Sequence, residues 1–195
     1  CQRRGIQLTR TVGANSNAVA DFAFALMLAV ARKVVVIDGR CRKQDWGKET
    51  GIDIYGKTLG IIGLGAVGKC VARRAAGFGM KILASDPYFD QEFAAQYGIE
   101  SASVDDICRQ ADVISLHSLL NDETRNLINR DRLASMKKTC ILINTARGEL
   151  VDEEALLEAL VSKTIYGAGL DVFSKEPPAD PRWYELANVV MGSHT

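Results

Sequence analysis

The sequence has no excess of charge of either sign: 24 Lys and Arg residues balance 24 Asp and Glu residues among 195 positions. Proteins that bind nucleic acid or an anionic membrane normally present a basic surface. The balance therefore argues against both as partners. With 47% hydrophobic residues, the chain has enough apolar material for the core of one large soluble domain, or for the cores of two small ones.

The sequence also lacks the cysteine spacing of a disulfide framework or a zinc site. Its five cysteines are odd in number, and no two form a CxxC pair. We therefore expect no metal site, and we expect reduced thiols in a cytoplasmic protein. No targeting segment is visible. The uncharged run between Asp21 and Arg32 is shorter than the about 20 apolar residues that cross a membrane.

The chain begins at Cys1 without an initiator Met, and CQRRGIQLTRT reads as the interior of a longer sequence. We therefore expect residues 1–195 to be one domain of a larger protein.

A strand, a glycine-rich turn, a helix and a second strand follow one another between Thr58 and Asp86. The turn has the pattern GxGxxG, with Gly63, Gly65 and Gly68. In a dinucleotide-binding unit the first glycine permits the tight turn, the second lets the pyrophosphate approach the main chain, and the third lets the helix pack closely. The helix N-terminus then faces the phosphates. Such turns also occur without a ligand, but the complete order of elements favours a bound dinucleotide.

Asp86 ends the second predicted strand, about 20 residues after the glycines, where a carboxylate can accept hydrogen bonds from ribose hydroxyls. It would also repel a 2'-phosphate. The following residues, PYFD, include no cation to hold that phosphate, which favours NAD over NADP. The alternative is that Asp86 only forms a turn before Pro87.

The rest of the chain alternates strands and helices. This order predicts a doubly wound parallel sheet of the Rossmann type in an α/β domain. Strands are expected at residues 59–62, 80–84, 99, 113–117, 139–143, 165–172 and 189–191, with a possible strand or connection at 5–11. Helices are expected at 18–42, 66–79, 88–97, 103–110, 152–162 and, as one or two short helices, within 121–136.

The predicted helix at residues 18–42 is apolar on almost every side. Helices without a polar face are buried on several sides. Part of this surface is expected to contact a second subunit in a homodimer, and the alternative is a helix enclosed within one chain.

Ligands of such sheets bind beyond the carboxyl ends of the strands. Polar residues follow most of the predicted strands there, which suggests a single shared site. They are Asp86, His117 and Ser118, Asn144 to Arg147, Asp171, and Ser193 and His194.

The motifs NTARGELVDEEAL, GLDVFSKEPP and VVMGSHT, together with GLGAVG and ASDPY, resemble those of the NAD-dependent D-isomer-specific 2-hydroxyacid dehydrogenases. The resemblance covers nearly the whole chain and looks most like the phosphoglycerate dehydrogenase branch. It implies an enzyme with the catalytic set Arg147, Glu176 and His194. It also implies cofactor contacts through the glycine turn and its neighbours: Gly63, Gly65, Ala66, Val67, Gly68, Thr11, Asp86, Ser118, Thr145, Ala146 and Asp171.

The chemistry of these side chains suits the oxidation of a 2-hydroxy acid. A histidine can take the hydroxyl proton while hydride leaves for the nicotinamide, and a carboxylate bonded to the imidazole orients the ring. An arginine binds a substrate carboxylate through paired hydrogen bonds. His194, Glu176 and Arg147 fit these roles, although each alone is also an ordinary loop residue.

Two features depart from the family pattern. Leu119 and Ser193 stand where the family often has proline. The family also builds a substrate lobe from segments before and after this region, so residues 1–195 resemble the NAD-binding domain alone. Other readings are a dinucleotide-binding regulatory or corepressor module and a structural dimerisation domain. The retained Arg147, Glu176 and His194 argue against both, because a sensor needs no base.

Overall fold

A computed structural model describes Thr9, Thr11 and residues 13–195. Within them a seven-stranded parallel sheet has the order β3-β2-β1-β4-β5-β6-β7. The strands are β1 Thr58–Ile62, β2 Lys81–Ser85, β3 Ile99–Ser101, β4 Val113–Leu116, β5 Ile141–Asn144, β6 Gly167–Leu170 and β7 Val189–Met191. The predicted doubly wound α/β fold is confirmed. Apart from Thr9 and Thr11, the possible strand at residues 5–11 lies outside the described residues.

The strand order runs outward in both directions from the neighbouring strands β1 and β4. The topological switch point therefore lies between β1 and β4. The crossover connections on one side of this point pass over one face of the sheet, and those on the other side pass over the opposite face. The register pairs Ile62 at the end of β1 with Ser85 of β2 and Leu116 of β4. The carboxyl ends of these three strands therefore meet at one edge of the sheet, where a dinucleotide is expected.

Helices cover both faces of the sheet. They are α1 Ser16–Ala31, α2 Val34–Cys41, α3 Ala66–Gly77, α4 Gln91–Tyr97, α5 Val104–Gln110, α6 Arg130–Ser135, α7 Glu153–Val161 and α8 Arg182–Glu185. Side chains alternate along each strand, so Ile61 packs in the core beneath α1, α3 and α4, and Ile62 packs in the core beneath α5, α6 and α7. None of the helices described in residues 13–195 is long and apolar enough to cross a bilayer.

Four helices begin at a side chain that accepts a main-chain N–H hydrogen bond, which supplies a partner that the first turn lacks. The caps are Asp90 of α4, Ser103 of α5, Asn129 of α6 and Asp152 of α7. Asp90 explains why α4 begins at Gln91 and not at Tyr88 as predicted. Asn129 likewise limits the helix within residues 121–136 to α6. The short helix α8 was not predicted.

The continuous helix predicted at residues 18–42 is wrong, because the chain breaks between α1 and α2. Lys33 adopts a left-handed conformation with φ of 53°, and its ammonium group pairs with Glu49 at 3.0 Å. Helix α1 buries one side against α3 and β6. Helix α2 has no buried residue, and Val34 and Val35 are 51% and 56% exposed. Helix α1 is therefore buried within the chain on one side, while α2 keeps an exposed apolar surface.

Candidate active site

The three glycines of the turn after β1 differ in what surrounds them. Gly63 has φ of +98°, and a Cβ there would lie 2.5 Å from the Ser118 amide nitrogen. A Cβ on Gly68 would lie 2.1 Å from the Gly63 carbonyl oxygen, so α3 can approach the turn only at a glycine. A Cβ on Gly65 would meet nothing within 4 Å. The space beside Gly65, at the N-terminus of α3, is thus open to a phosphate group.

Asp86 follows β2 and lies beside this turn. One carboxylate oxygen accepts the Leu64 N–H at 2.6 Å, and the other accepts the Tyr88 N–H at 2.7 Å. These bonds fix the orientation of the half-buried carboxylate, and each oxygen retains a lone pair for a ribose hydroxyl. The hydrogen bond from the Tyr88 N–H closes the turn that the alternative interpretation of Asp86 expects. Asp86 can form this turn and contact a ribose at the same time.

Two hydroxyl groups at the same edge have no hydrogen-bond partner within the described residues. They are the buried side-chain oxygens of Ser118, after β4, and Thr145, after β5. Buried polar groups are normally paired. Two such groups at the sheet edge that carries the open glycine turn fit a ligand rich in hydrogen-bonding atoms, as a dinucleotide is.

The other residues predicted to contact the cofactor lie along the same edge or at the start of the described chain. Ala66 and Val67 form the first turn of α3. The Ala146 N–H donates to the Asn144 side chain at 3.1 Å, which shapes the loop after β5. Thr11 is exposed. No further contact of Thr11 bears on the site.

His117 follows β4, next to Ser118. Its Nε2 atom lies 2.8 Å from the buried Ser115 hydroxyl. Burial lowers the pKa of His117 to about 4, so the ring is neutral at neutral pH. The hydrogen bond to Ser115 fixes this neutral ring after β4.

Glu176 and His194 lie in contact, although 18 positions separate them in the sequence. The His194 Nδ1 atom lies 2.9 Å and 3.1 Å from the two Glu176 carboxylate oxygens. The Phe173 N–H also donates to Glu176 at 3.1 Å. The bond from His194, then that from Phe173, holds the pKa of Glu176 below its usual range. An ionised carboxylate only accepts hydrogen bonds, so Nδ1 carries a proton, and in the neutral form of the ring the lone pair lies on Nε2.

Arg147 shares a cleft of about 230 Å³ with Glu176 and His194. Gly148 brings the two loops together, because a Cβ there would lie only 2.1 Å from the Phe173 carbonyl carbon. The exposed Arg147 guanidinium donates to the Ala146 carbonyl at 2.5 Å, and its other N–H groups make no hydrogen bond within the described residues. The positive charge of Arg147 also contributes to the low pKa of Glu176, more weakly than the hydrogen bonds from His194 and Phe173 do.

Asp171 follows β6 and is 4% exposed. Its carboxylate accepts hydrogen bonds from the His194 main chain and from Thr195. These contacts were not predicted. The roles of Gly148 and Gly192 were also not predicted. The absence of a side chain lets Gly148 approach Phe173 and lets Gly192 approach Asp171. The signal in the sequence was a glycine directly beside a candidate loop residue.

The parallel sheet, the glycine turn at its switch point and the acidic residue after β2 define a dinucleotide-binding domain of the Rossmann type. The model of the D-isomer specific 2-hydroxyacid dehydrogenase NAD binding domain matches residues 24–195. The chain belongs to this family, and it is an NAD-binding domain.

Curated relatives agree with this assignment. The chain is 44% identical to a glyoxylate reductase of Korarchaeum cryptofilum, with 98% of this chain and 60% of the relative covered. It is 42% identical to a D-3-phosphoglycerate dehydrogenase of Methanocaldococcus jannaschii, with 98% and 37% covered. The chain thus spans 60% of the length of the first relative and 37% of the length of the second.

Solved structures of the family share the fold. A glyoxylate reductase from Paecilomyes thermophila superposes with a TM-score of 0.89 at 38% identity, covering 99% of this chain and 59% of the other. D-Lactate dehydrogenase from Aquifex aeolicus, complexed with NAD and lactic acid, superposes with a TM-score of 0.87 at 32% identity, covering 100% and 64%.

Proposed function

We propose that this chain is the cofactor half of an oxidoreductase that transfers hydride between a small D-2-hydroxy acid and NAD. The observation that carries the proposal is the convergence of Arg147, Glu176 and His194 on one cleft at the cofactor edge. The relatives extend beyond the matched region, so we propose that a second lobe of the protein completes the substrate site.

His194 is the proposed acid and base. Because Glu176 holds Nδ1, the free Nε2 atom takes the hydroxyl proton during oxidation and returns it during reduction. Bound NAD supplies the hydride acceptor. Arg147 binds the substrate carboxylate and polarises the neighbouring oxygen. Catalysis needs these groups held together and shielded from water, so we expect residues 1–195 alone to bind NADH with little turnover.

The experiment is a substrate panel on the full-length protein with 3-phosphoglycerate, glycerate, lactate and glyoxylate, followed through NADH absorbance. The relatives include glyoxylate reductases and phosphoglycerate dehydrogenases, so we expect turnover with at least one acid of this set. Absence of hydride transfer with every 2-hydroxy and 2-oxo acid tested would refute the proposal.

Asp86 is the proposed reason for a preference for NADH over NADPH, because its fixed carboxylate repels a 2'-phosphate. Calorimetric titration of residues 1–195 with both cofactors measures the preference. The control is Asp86→Asn, which keeps the shape and removes the charge, so NADPH should then bind closer to NADH. Equal affinities in the unaltered chain would contradict this role.

We also propose that the protein is a cytoplasmic homodimer and that the exposed apolar side of α2 belongs to the interface. Val34, Val35 and Ile37 are 51%, 56% and 37% exposed there, and Trp46 in the following loop is 81% exposed. Light scattering gives the mass directly. A dimer that Val35→Glu converts to a folded monomer supports this interface, and a monomer at high micromolar concentration argues against it.

A further inference from the structure

The carboxylate of Asp171 is bonded to the main chain that carries His194. One oxygen accepts the His194 N–H at 3.0 Å and the Thr195 hydroxyl at 3.2 Å, and the other accepts the Thr195 N–H at 3.2 Å. The Asp171 carbonyl also accepts the His194 N–H, at 2.9 Å. A buried carboxylate requires such partners. Every side-chain hydrogen bond described for Asp171 goes to these two residues.

His194 needs this support, because its main chain has φ of 61°. That left-handed conformation is disfavoured for residues with a Cβ atom and persists only where surrounding contacts hold it. The segment also lies directly against the carboxylate. A Cβ on Gly192 would be 2.2 Å from the Asp171 oxygen that accepts the His194 N–H, so only glycine lets that oxygen reach His194.

We propose that Asp171 is a positioning residue that acts through His194. By fixing the main chain of His194 in this conformation, it sets the direction of the imidazole, so that Nδ1 meets Glu176 and Nε2 remains free. This role rests on the proposed function of His194. It is separate from the cofactor contact that family resemblance suggests for Asp171, because the carboxylate acts on the main chain of the base.

The first test uses imidazole nitrogen NMR on residues 1–195, which contain two histidines and hence give two imidazole spin systems. Asp171→Ala should convert His194 from the Nδ1–H form held by Glu176 to an averaged mixture of tautomers, with the His117 signals unchanged. Gly192→Ala should do the same without altering any charge, because its methyl group displaces the carboxylate. Asp171→Asn retains one acceptor oxygen and should give an intermediate result.

The matched control is Asp112→Asn. Asp112 is a half-buried carboxylate at the opposite edge of the sheet, where it accepts the Thr58 N–H at 2.9 Å and pairs with Lys137 at 2.8 Å. This change should lower stability and leave the His194 spectrum as in the unaltered chain. A folded Asp171→Ala or Gly192→Ala chain with the unaltered His194 spectrum would overturn the proposal.

The second test separates positioning from cofactor contact in the full-length protein. Asp171→Ala should lower kcat about tenfold or more, as expected for a misplaced proton-transfer group, while the Kd for NADH changes much less. A raised Kd with unchanged kcat would assign Asp171 to the cofactor and overturn the proposal. If His194→Gln itself kept normal turnover, the proposed role of His194 as the base would be wrong. The NMR result would still decide whether Asp171 sets the orientation of the His194 imidazole.

Discussion

The two histidines of the chain both follow the carboxyl end of a strand, yet their surroundings differ. His117, after β4, is held by the Ser115 hydroxyl, and burial lowers its pKa to about 4. His194, after β7, is exposed and donates to an ionised carboxylate. Burial keeps the His117 ring in its neutral form beside a hydroxyl partner, whereas the exposed His194 ring is oriented by a carboxylate that accepts from Nδ1. Position at the sheet edge alone therefore does not identify the base.

The largest expected effect separates the two histidines by activity. In the full-length protein, His194→Gln should lower kcat by about a hundredfold or more, because positioned proton transfer is lost. His117→Gln should keep most of the activity, because the buried ring stays neutral and takes up no second proton at neutral pH. Steady-state kinetics of both variants decides the matter. Near-normal turnover in His194→Gln would mean that the base lies elsewhere.

Arg147 is the cation of the proposed site, and it lies near His194 in the comparison of the two histidines. Arg147 shares its cleft with His194, and Arg147→Lys should lower kcat/KM by about tenfold to a hundredfold, because a point charge cannot replace paired hydrogen bonds to a carboxylate. The effect should appear in KM for the acid and in kcat, with the KM for NADH unchanged. A fully active Arg147→Lys enzyme would show that a single positive charge suffices.

The pH dependence of the unfolding free energy of the domain should report the protonation of His117. Its folded pKa of about 4 lies below the usual value of 6.5, so the unfolded chain binds the proton more tightly. The stability that the neutral ring contributes to the folded state is fully present at pH values above 6.5, and it is lost as the pH falls toward about 4. Between about pH 7.5 and about pH 5 it should cost about 2 kcal/mol of unfolding free energy.

Urea unfolding of residues 1–195 at both pH values measures this loss, and His117→Gln should remove most of it. Ser115→Ala is the matched control, because it deletes the hydroxyl partner and keeps the titrating ring. If His117→Gln showed the same pH dependence as the unaltered chain, another group would be responsible.

The smallest expected effect concerns Glu176, whose pKa is lowered first by its bond to His194. The carboxylate is therefore ionised at neutral pH and only accepts hydrogen bonds, so it orients the imidazole through Nδ1. Glu176→Gln removes the charge and can present an amide N–H to the ring, so kcat for hydroxy-acid oxidation should fall about fivefold, the worth of one hydrogen bond. Steady-state kinetics of the full-length variant measures the loss. An unchanged kcat in folded Glu176→Gln would contradict this role.

The cofactor half of the fold could be predicted because its signals are local. The glycine turn, the strand before it and Asp86 lie within 30 residues, and the predicted strand at 59–62 agrees with β1 to one residue. The break between α1 and α2 could not be predicted, because Lys33 takes a left-handed conformation that neither glycine nor proline marks. The pairing of the Asp171 carboxylate with His194 depends on the parallel alignment of β6 and β7, which no local pattern contains.

Gly148 lines the same cleft as Arg147, Glu176 and His194, and its lack of a side chain sets the spacing between the loop of Arg147 and the loop of Glu176. In a deep mutational scan of growth that depends on the proposed hydride transfer, Gly148 should tolerate substitution as poorly as Arg147, Glu176 and His194. An engineer who wishes to reshape the cleft should therefore vary the loop tips and leave this contact between the two loops unchanged.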